Sequence, residues 1–110
     1  MDGKYPRRGP GLQCSVTGTV IGNPLFKMVK NGTVPMLGVT VTYDEYDGTA
    51  SACRVTLFGD QAQAIADRVV RGQRIEAVGT GSLNSWDKNG EKKHGFGILA
   101  QRVRLLGEAT

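Results

Sequence analysis

The sequence predicts an all-β domain, a small barrel of five strands with one short helix between the third and fourth strands. Five segments alternate apolar and polar residues, which is the period of a half-buried strand. One segment after the third of them has the 3.6-residue period of an amphipathic helix. The 110 residues include 16 glycines, which suits a strongly coiled barrel whose strands bend at corners.

The first two strands are predicted on either side of a tight turn. Residues 13–22 alternate loosely, Gly22-Asn23-Pro24 is predicted to break the strand, and residues 25–28 are predicted to continue it briefly. An Asn-Gly pair within residues 30–32 predicts a turn. Residues 34–43 then alternate again and predict the second strand.

The helix is predicted after a polar loop at 44–48 and a third strand at 51–58. Asp60 is placed to cap the helix N-terminus, and Gln63 completes a capping-box pattern. Gly72 is expected to end the segment, because glycine accepts the left-handed backbone that stops a helix. Apolar residues that share one helical stripe are Ala62, Ile65, Ala66 and Val69.

Two further strands are predicted at 74–83 and 92–106, joined by a hairpin tip at 87–90. Five strands with a helix between the third and fourth is the order of the oligonucleotide-binding (OB) barrel. The barrel domain is predicted over residues 12–107. Residues 1–11, rich in Pro and Gly with a basic excess, predict a flexible arm, and residues 108–110 form a short C-terminal end.

Composition excludes several functional classes. The chain carries 14 Lys and Arg against 10 Asp and Glu, and its pI is about 9.3, which weakly favours nucleic acid as a partner. No apolar run suits a membrane span or a secretory signal, so we expect a cytoplasmic protein without a membrane partner. Cys14, Cys53 and His94 form no metal-ligand spacing, so no metal or other cofactor is expected. No catalytic motif is present, and an enzyme is not predicted.

Five segments in order resemble the OB core of bacterial single-stranded DNA-binding proteins, over about residues 13–107. The opening strand resembles the family in Val16-Thr17-Gly18-Thr19-Val20 followed by Pro24 and Leu25-Phe26-Lys27. The other matching segments are Arg54–Gly59, Val70–Ile75, Gly81–Trp86 and Ile98–Leu106. No single segment is specific, and it is their order and spacing that indicate the family.

The resemblance implies a protein that coats single-stranded DNA without sequence preference, in DNA replication, recombination or repair. It also implies a homo-oligomer, with a tetramer favoured over a dimer. In this family bases stack on aromatic side chains while Lys and Arg contact phosphates. Stacking of this kind tolerates any base, because every base has a π-face.

The candidate stacking residues are Trp86, Phe58, Tyr46 and Phe96. The candidate basic or polar contacts are Arg54, Lys88, Lys92, Lys93, Lys27, His94 and Arg74. Each has a structural alternative. Phe58 would instead belong to the core, Tyr46 would be a solvated turn residue, and Phe96 is equally compatible with barrel packing. The cations would instead be ordinary surface charge or salt-bridge partners.

The sequence departs from the family in two ways that weaken the expected DNA affinity. Ala52 stands where many relatives have a tryptophan, and the loop after the second strand carries the acidic residues Asp44, Glu45 and Asp47. An acidic C-terminal tip is not seen either, so partners that bind such a tip are not expected.

Two alternatives follow from these departures. The first is an OB module similar to primosomal replication protein B, which would act in replication restart mainly through protein partners. The second is an OB protein-interaction module with little DNA affinity.

Overall fold

The computed structural model describes residues 12–107, and within that range it leaves the side chains of Asn84, Trp86, Lys88, Lys93 and His94 undescribed. The predicted arm at 1–11 and the C-terminal end at 108–110 lie outside the described residues. The elements are β1 Gln13–Val29, β2 Val34–Asp44, β3 Ala50–Phe58, α1 Asp60–Ile65, β4 Arg74–Lys88 and β5 Glu91–Leu106. The predicted element order is confirmed.

The strands close into a barrel in the order β1-β2-β3-β5-β4. Neighbouring strands are antiparallel except β3 and β5, which run parallel. Strand β1 pairs with two neighbouring strands. Its residues 13–19 pair with β4, and its residues 19–29 pair with β2. This sharing by one long strand is what closes the sheet.

The predicted break at Gly22-Asn23-Pro24 is wrong, because β1 runs through it. The chain instead forms a bulge, seen as a register shift between Ile21 and Leu25. Gly22 has a φ of 69°, a left-handed conformation that glycine adopts without steric cost. A bulge bends a strand without ending it, so the two halves of β1 can reach different neighbours.

The core is formed by the side chains that alternate strand residues direct into the barrel. Leu37, Val39 and Val41 of β2 are buried, as are Val55 and Leu57 of β3. Because side chains alternate along a strand, the residues between them point outward. The other buried apolar residues are Val20, Cys53, Ala62, Val69, Ile75, Ala77, Ile98 and Ala100.

The predicted helix cap is wrong, and α1 is shorter than the apolar stripe suggests. Gly59 is the N-cap, with a φ of 85°, and no side chain caps the helix. The first turn is closed by the Gln63 amide, which donates to the Gly59 carbonyl at 3.1 Å. Beyond Ile65 the chain continues as turns, yet it still returns Val69 to the core.

The β4–β5 hairpin is longer than predicted. Its strands stay paired up to Lys88 and Glu91, so the predicted tip at 87–90 shrinks to two residues. Asn89 and Gly90 have φ angles of 53° and 81°. Positive φ at both positions is the requirement of a type I′ turn, which Asn-Gly satisfies best.

Candidate nucleic-acid interface

The outward side chains of β1, β2 and β3 form one continuous surface, which we call the β1–β3 face. Residues directly opposite each other on paired strands point to the same side of a sheet, so the strand registers define this surface. Its members are Ile21, Leu25, Lys27, Met36, Gly38, Thr40, Arg54, Thr56 and Phe58.

Phe58 and Lys27 lie on one row of this face. Met36 is opposite Lys27 on one side and opposite Phe58 on the other. Phe58 is 41 % exposed, so it is not a core residue. Lys27 is also exposed, whereas its neighbour Phe26 is opposite the buried Leu37 on the other side of the strand.

Arg54 lies two rows away, on the row that also contains Ile21 and Thr40. It is exposed and is opposite Thr40 of β2 and Gly97 of β5. Its Nη1 donates to the Thr40 hydroxyl at 3.4 Å. Its Nη2 lies 3.1 Å from the point that a Cβ on Gly38 would occupy. The guanidinium therefore lies across β2 on the surface of the barrel.

Apolar side chains border this cation. Leu25 and Leu99 are 42 % and 52 % exposed, at the two ends of the row that also contains Gly38 and Thr56. A shallow cavity of about 190 Å³ adjoins them, and its lining residues are Arg54, Thr56, Ser82, Gly97, Ile98 and Leu99. The face thus combines cations with an exposed ring and exposed aliphatic carbon.

Sequence reasoning missed Leu25, Leu99, Gly38 and Thr40 as parts of the site. The alternation in β2 was a usable signal, because Gly38 and Thr40 fall between inward residues. Leu99 had no such signal, since it joins the face only through the parallel pairing of β3 with β5.

Arg74 lies at a polar groove beside the face. It is exposed and is opposite Thr19 of β1, which is in turn opposite Thr42 of β2. The groove has a volume of about 260 Å³ and is lined by Thr17, Gly18, Thr19, Thr42, Tyr43, Asp44, Ala50 and Arg74. It holds hydroxyl groups and one cation, with the Asp44 carboxyl at its rim.

The remaining candidate cations and Trp86 lie along the β4–β5 hairpin. Trp86 is opposite Lys93, and Ser85 is opposite His94. Two basic residues each face an acidic residue across the strands, as Lys92 is opposite Asp87 and Lys88 is opposite Glu91. Trp86 is four residues beyond Ser82, or about 13 Å farther along β4 at the usual rise of a strand.

Tyr46 is fully exposed in the loop between β2 and β3, away from the rows of the face. The loop is held by Asp47, whose Oδ1 accepts hydrogen bonds from the Thr49 amide at 3.0 Å and the Thr49 hydroxyl at 2.7 Å. These hydrogen bonds lower the pKa of the Asp47 carboxyl. Since β3 and β5 are parallel, this acidic loop and the β4–β5 hairpin project from the same end of the barrel.

Phe96 does not lie on the β1–β3 face. It is opposite Cys53 and packs against the core. Its ring also lies over Gly81, because a Cβ there would come within 2.7 Å of the Phe96 Cζ. The placement favours barrel packing, and stacking at Phe96 stays a prediction that the structure does not test.

The thiols of Cys14 and Cys53 line the same cavity of the barrel. Cys14, Cys53, Tyr43 and Phe96 are among the residues that line a mainly apolar cavity of about 270 Å³. Burial, with a contribution from Cys14, raises the pKa of the Cys53 thiol. Among the side chains that the structure describes, no three of His, Cys, Asp or Glu cluster as metal ligands would. Residues 12–107 contain no helix of the length and hydropathy needed to cross a membrane.

Comparison with known proteins finds single-stranded DNA-binding proteins among the relatives of this chain. A single-stranded DNA-binding protein from Aquifex aeolicus is 26% identical over 99 residues, which covers 83% of this chain and 67% of the relative. A small single-stranded DNA-binding protein from Streptomyces coelicolor has a crystal structure with a TM-score of 0.71 and 16% identity, covering 86% of this chain and 94% of that one.

An SSB domain from Synechococcus sp. superimposes with a TM-score of 0.70 at 18% identity, covering 89% of this chain and 99% of that one. No protein-family profile matches the chain. The resemblance and the OB fold predicted from the sequence are confirmed by these relatives. Because single-stranded DNA-binding proteins are a non-enzymatic family, the prediction that the chain is not an enzyme is confirmed as well.

Proposed function

We propose that this chain, an OB-fold protein of the single-stranded DNA-binding protein family, binds single-stranded DNA across its β1–β3 face without sequence preference. The observation that carries the proposal is the arrangement of Phe58, Lys27 and Arg54 on one outward surface. The strand 2 and strand 3 surface of an OB barrel is also the usual site for oligonucleotides. The named relatives support the same function.

The binding mechanism follows from the side chains on the face. A base stacks on the Phe58 ring, and each such contact contributes about 1–3 kcal/mol. Lys27 and Arg54 neutralise phosphates and release condensed counterions, which makes the affinity dependent on salt. Leu25 and Leu99 give apolar contact to bases or sugars. None of these contacts reads a base edge, so the sequence of the DNA matters little.

We propose that the DNA strand leaves the face in two directions. At one end of the barrel it follows the β4–β5 hairpin, where Trp86 supplies a second stacking surface. There the hairpin lysines and His94 contact the DNA phosphates. Around β1 it reaches the hydroxyl-lined groove at Arg74. The acidic loop that contains Tyr46 limits the affinity at the hairpin end, with screening of its charges beyond about 8–10 Å at ordinary salt.

The test is a titration with a thirty-five-nucleotide oligo-dT, followed by the emission of the single tryptophan, Trp86. Quenching that weakens with salt is expected, with a slope of log Kobs against log salt of about −0.7 for each phosphate neutralised. Oligo-dA of the same length should bind comparably, and duplex DNA weakly. A flat trace at low salt, confirmed by the anisotropy of a labelled oligonucleotide, would contradict the proposal. That result would favour the protein-interaction alternative.

We propose further that the protein acts as a cytoplasmic homo-oligomer in DNA replication, recombination or repair, with a tetramer favoured over a dimer. Residues 13–17 of β1 pair with β4 alone in the described registers, so their other edge is available for strand addition by a second copy. Sedimentation equilibrium gives the assembly mass. A dimer with weak, partner-dependent DNA binding would favour the module similar to primosomal replication protein B.

A further inference from the structure

Gly38 is a glycine that the backbone conformation does not require. It lies within β2 between the buried residues Leu37 and Val39, and it is not among the residues with positive φ. A glycine in a strand interior weakens the strand, and it often marks a position where another group approaches the backbone closely. At Gly38 such a group is present, because the Arg54 side chain occupies the space above it.

The contact is specific to the guanidinium. From the point that a Cβ on Gly38 would occupy, the Arg54 Nη2 is 3.1 Å away, Nε 3.5 Å and Cζ 3.6 Å. A Cβ at position 38 would make the guanidinium move by a few tenths of an ångström, and the larger side chain of valine would displace it further. The neighbouring outward residue Thr40 accepts the hydrogen bond from Nη1, so β2 both makes room for the guanidinium and holds it.

We propose that Gly38 is a positioning residue, whose missing side chain lets the Arg54 guanidinium lie across β2 where single-stranded DNA binds. This inference rests on the proposed function. A long arginine side chain loses rotamer freedom when it binds a ligand, and holding it beforehand reduces that cost. Substitution at Gly38 should therefore weaken binding through Arg54.

The guanidinium is placed to contact the phosphate next to the base that stacks on Phe58. Gly38 is opposite Thr56, one outward residue before Phe58 on β3. Outward residues in succession are about 7 Å apart along a strand. The cation and the ring are thus close enough to engage the phosphate and base of adjacent nucleotides. If the guanidinium did not lie over Gly38, it would extend from the row of Arg54 itself, which is two rows from Phe58 instead of one.

The test substitutes Gly38→Val and measures both stability and affinity for oligo-dT. Valine favours strands, and replacing glycine reduces the freedom of the unfolded chain. The melting temperature is therefore expected to hold or rise while the affinity falls about tenfold, the size of one lost contact. Gln63→Ala, at an exposed position of α1 outside the β1–β3 face, is the control that should leave the affinity unchanged.

A double-mutant cycle with Arg54→Ala identifies the route of the effect. If Gly38 acts through Arg54, Gly38→Val should weaken binding in the wild type and have no effect in Arg54→Ala. An equal loss in both backgrounds would overturn the inference, as would an unchanged affinity in Gly38→Val while the wild type binds. A wild type that does not bind oligo-dT would instead overturn the proposed function, and the inference with it.

Discussion

Lys27 and Phe58 lie two strands apart on one outward row, because Met36 of β2 is opposite both of them. At the usual spacing of paired strands, their backbones are about 10 Å apart. A cation and an exposed ring at this separation can engage the charged backbone and the base of the same short stretch of DNA. The predictions below test whether this face is the binding surface.

The Phe58 ring should contribute to affinity much more than to stability. Phe58→Ala is expected to weaken oligo-dT binding by about 1–3 kcal/mol, the value of one stacked base. The melting temperature should change little, because the ring is 41 % exposed. Binding is measured by the anisotropy of a labelled oligonucleotide, and stability by thermal unfolding.

Two conservative variants of Phe58 separate stacking from simple apolar contact. Phe58→Tyr keeps the π-face and should bind as the wild type does. Phe58→Leu keeps apolar bulk without the π-face and should lose most of the affinity that Phe58→Ala loses. If Phe58→Leu bound with full affinity and Phe58→Tyr did not, Phe58 would not act by stacking.

Lys27 should affect the salt dependence of binding. Lys27→Ala is expected to make the slope of log Kobs against log salt about 0.7 less steep, because one phosphate contact is lost. The matched control is Arg102→Ala, which removes the same charge from an exposed position of β5 opposite Val78 of β4. Equal changes of slope in the two variants would mean that net charge matters and that position does not.

The sequence was sufficient to predict the barrel, because alternation in β2 and β3 and the helical period after Phe58 are local signals. The wrong predictions concern residues whose type is compatible with more than one structural role. Asp60 is a good capping residue by type, but Gly59 takes the cap because its positive φ turns the chain into the helix. Gly22 and Pro24 were expected to end a strand, and they bend one instead.

The site was predictable only in part, because its rows depend on which strands meet. Phe58, Lys27 and Arg54 were identified from the resemblance, and the registers bring them onto one surface. Phe96 could not be assigned, since its flanking glycines suit both a ligand and close packing. Leu99 reaches the face through the parallel β3–β5 pair, a pairing that no local pattern in β5 indicates.

Two leucines should show the difference between the barrel interior and its surface. Leu57 is 2 % exposed and Leu99 is 52 % exposed. Leu57→Ala is expected to lower the free energy of unfolding by about 2–5 kcal/mol, since it leaves a cavity in the core. Leu99→Ala should lower it by less than about 1 kcal/mol. Urea denaturation measures both, and similar losses would contradict the placement of these strands.

Stability should decline in alkaline solution because of Cys53. Burial raises the pKa of its thiol above the ordinary value of 9.0, so the folded chain holds this proton more tightly than the unfolded chain does. Stability is then full below the ordinary pKa and falls as pH rises through it toward the raised value. Burial raises the pKa of Tyr43 as well, so its phenol adds to the decline at higher pH.

The measurement is urea denaturation in reducing buffer from pH ~8 to ~10.5, a window that spans the ordinary thiol and phenol values. Cys53→Ala should start less stable but lose less stability across this range than the wild type. A decline of equal size in Cys53→Ala would show that the thiol does not contribute.

The most direct test of the binding surface is to map backbone amide chemical shifts during titration with a short oligo-dT. The perturbed amides are expected in β1, β2 and β3 around Lys27, Gly38, Arg54 and Phe58, and along the β4–β5 hairpin. Amides near Val78 and Arg102, which are paired on β4 and β5 outside the β1–β3 face, should stay unperturbed. Perturbations confined to the region around Val78 and Arg102, with the β1–β3 face unchanged, would show that DNA does not bind this face.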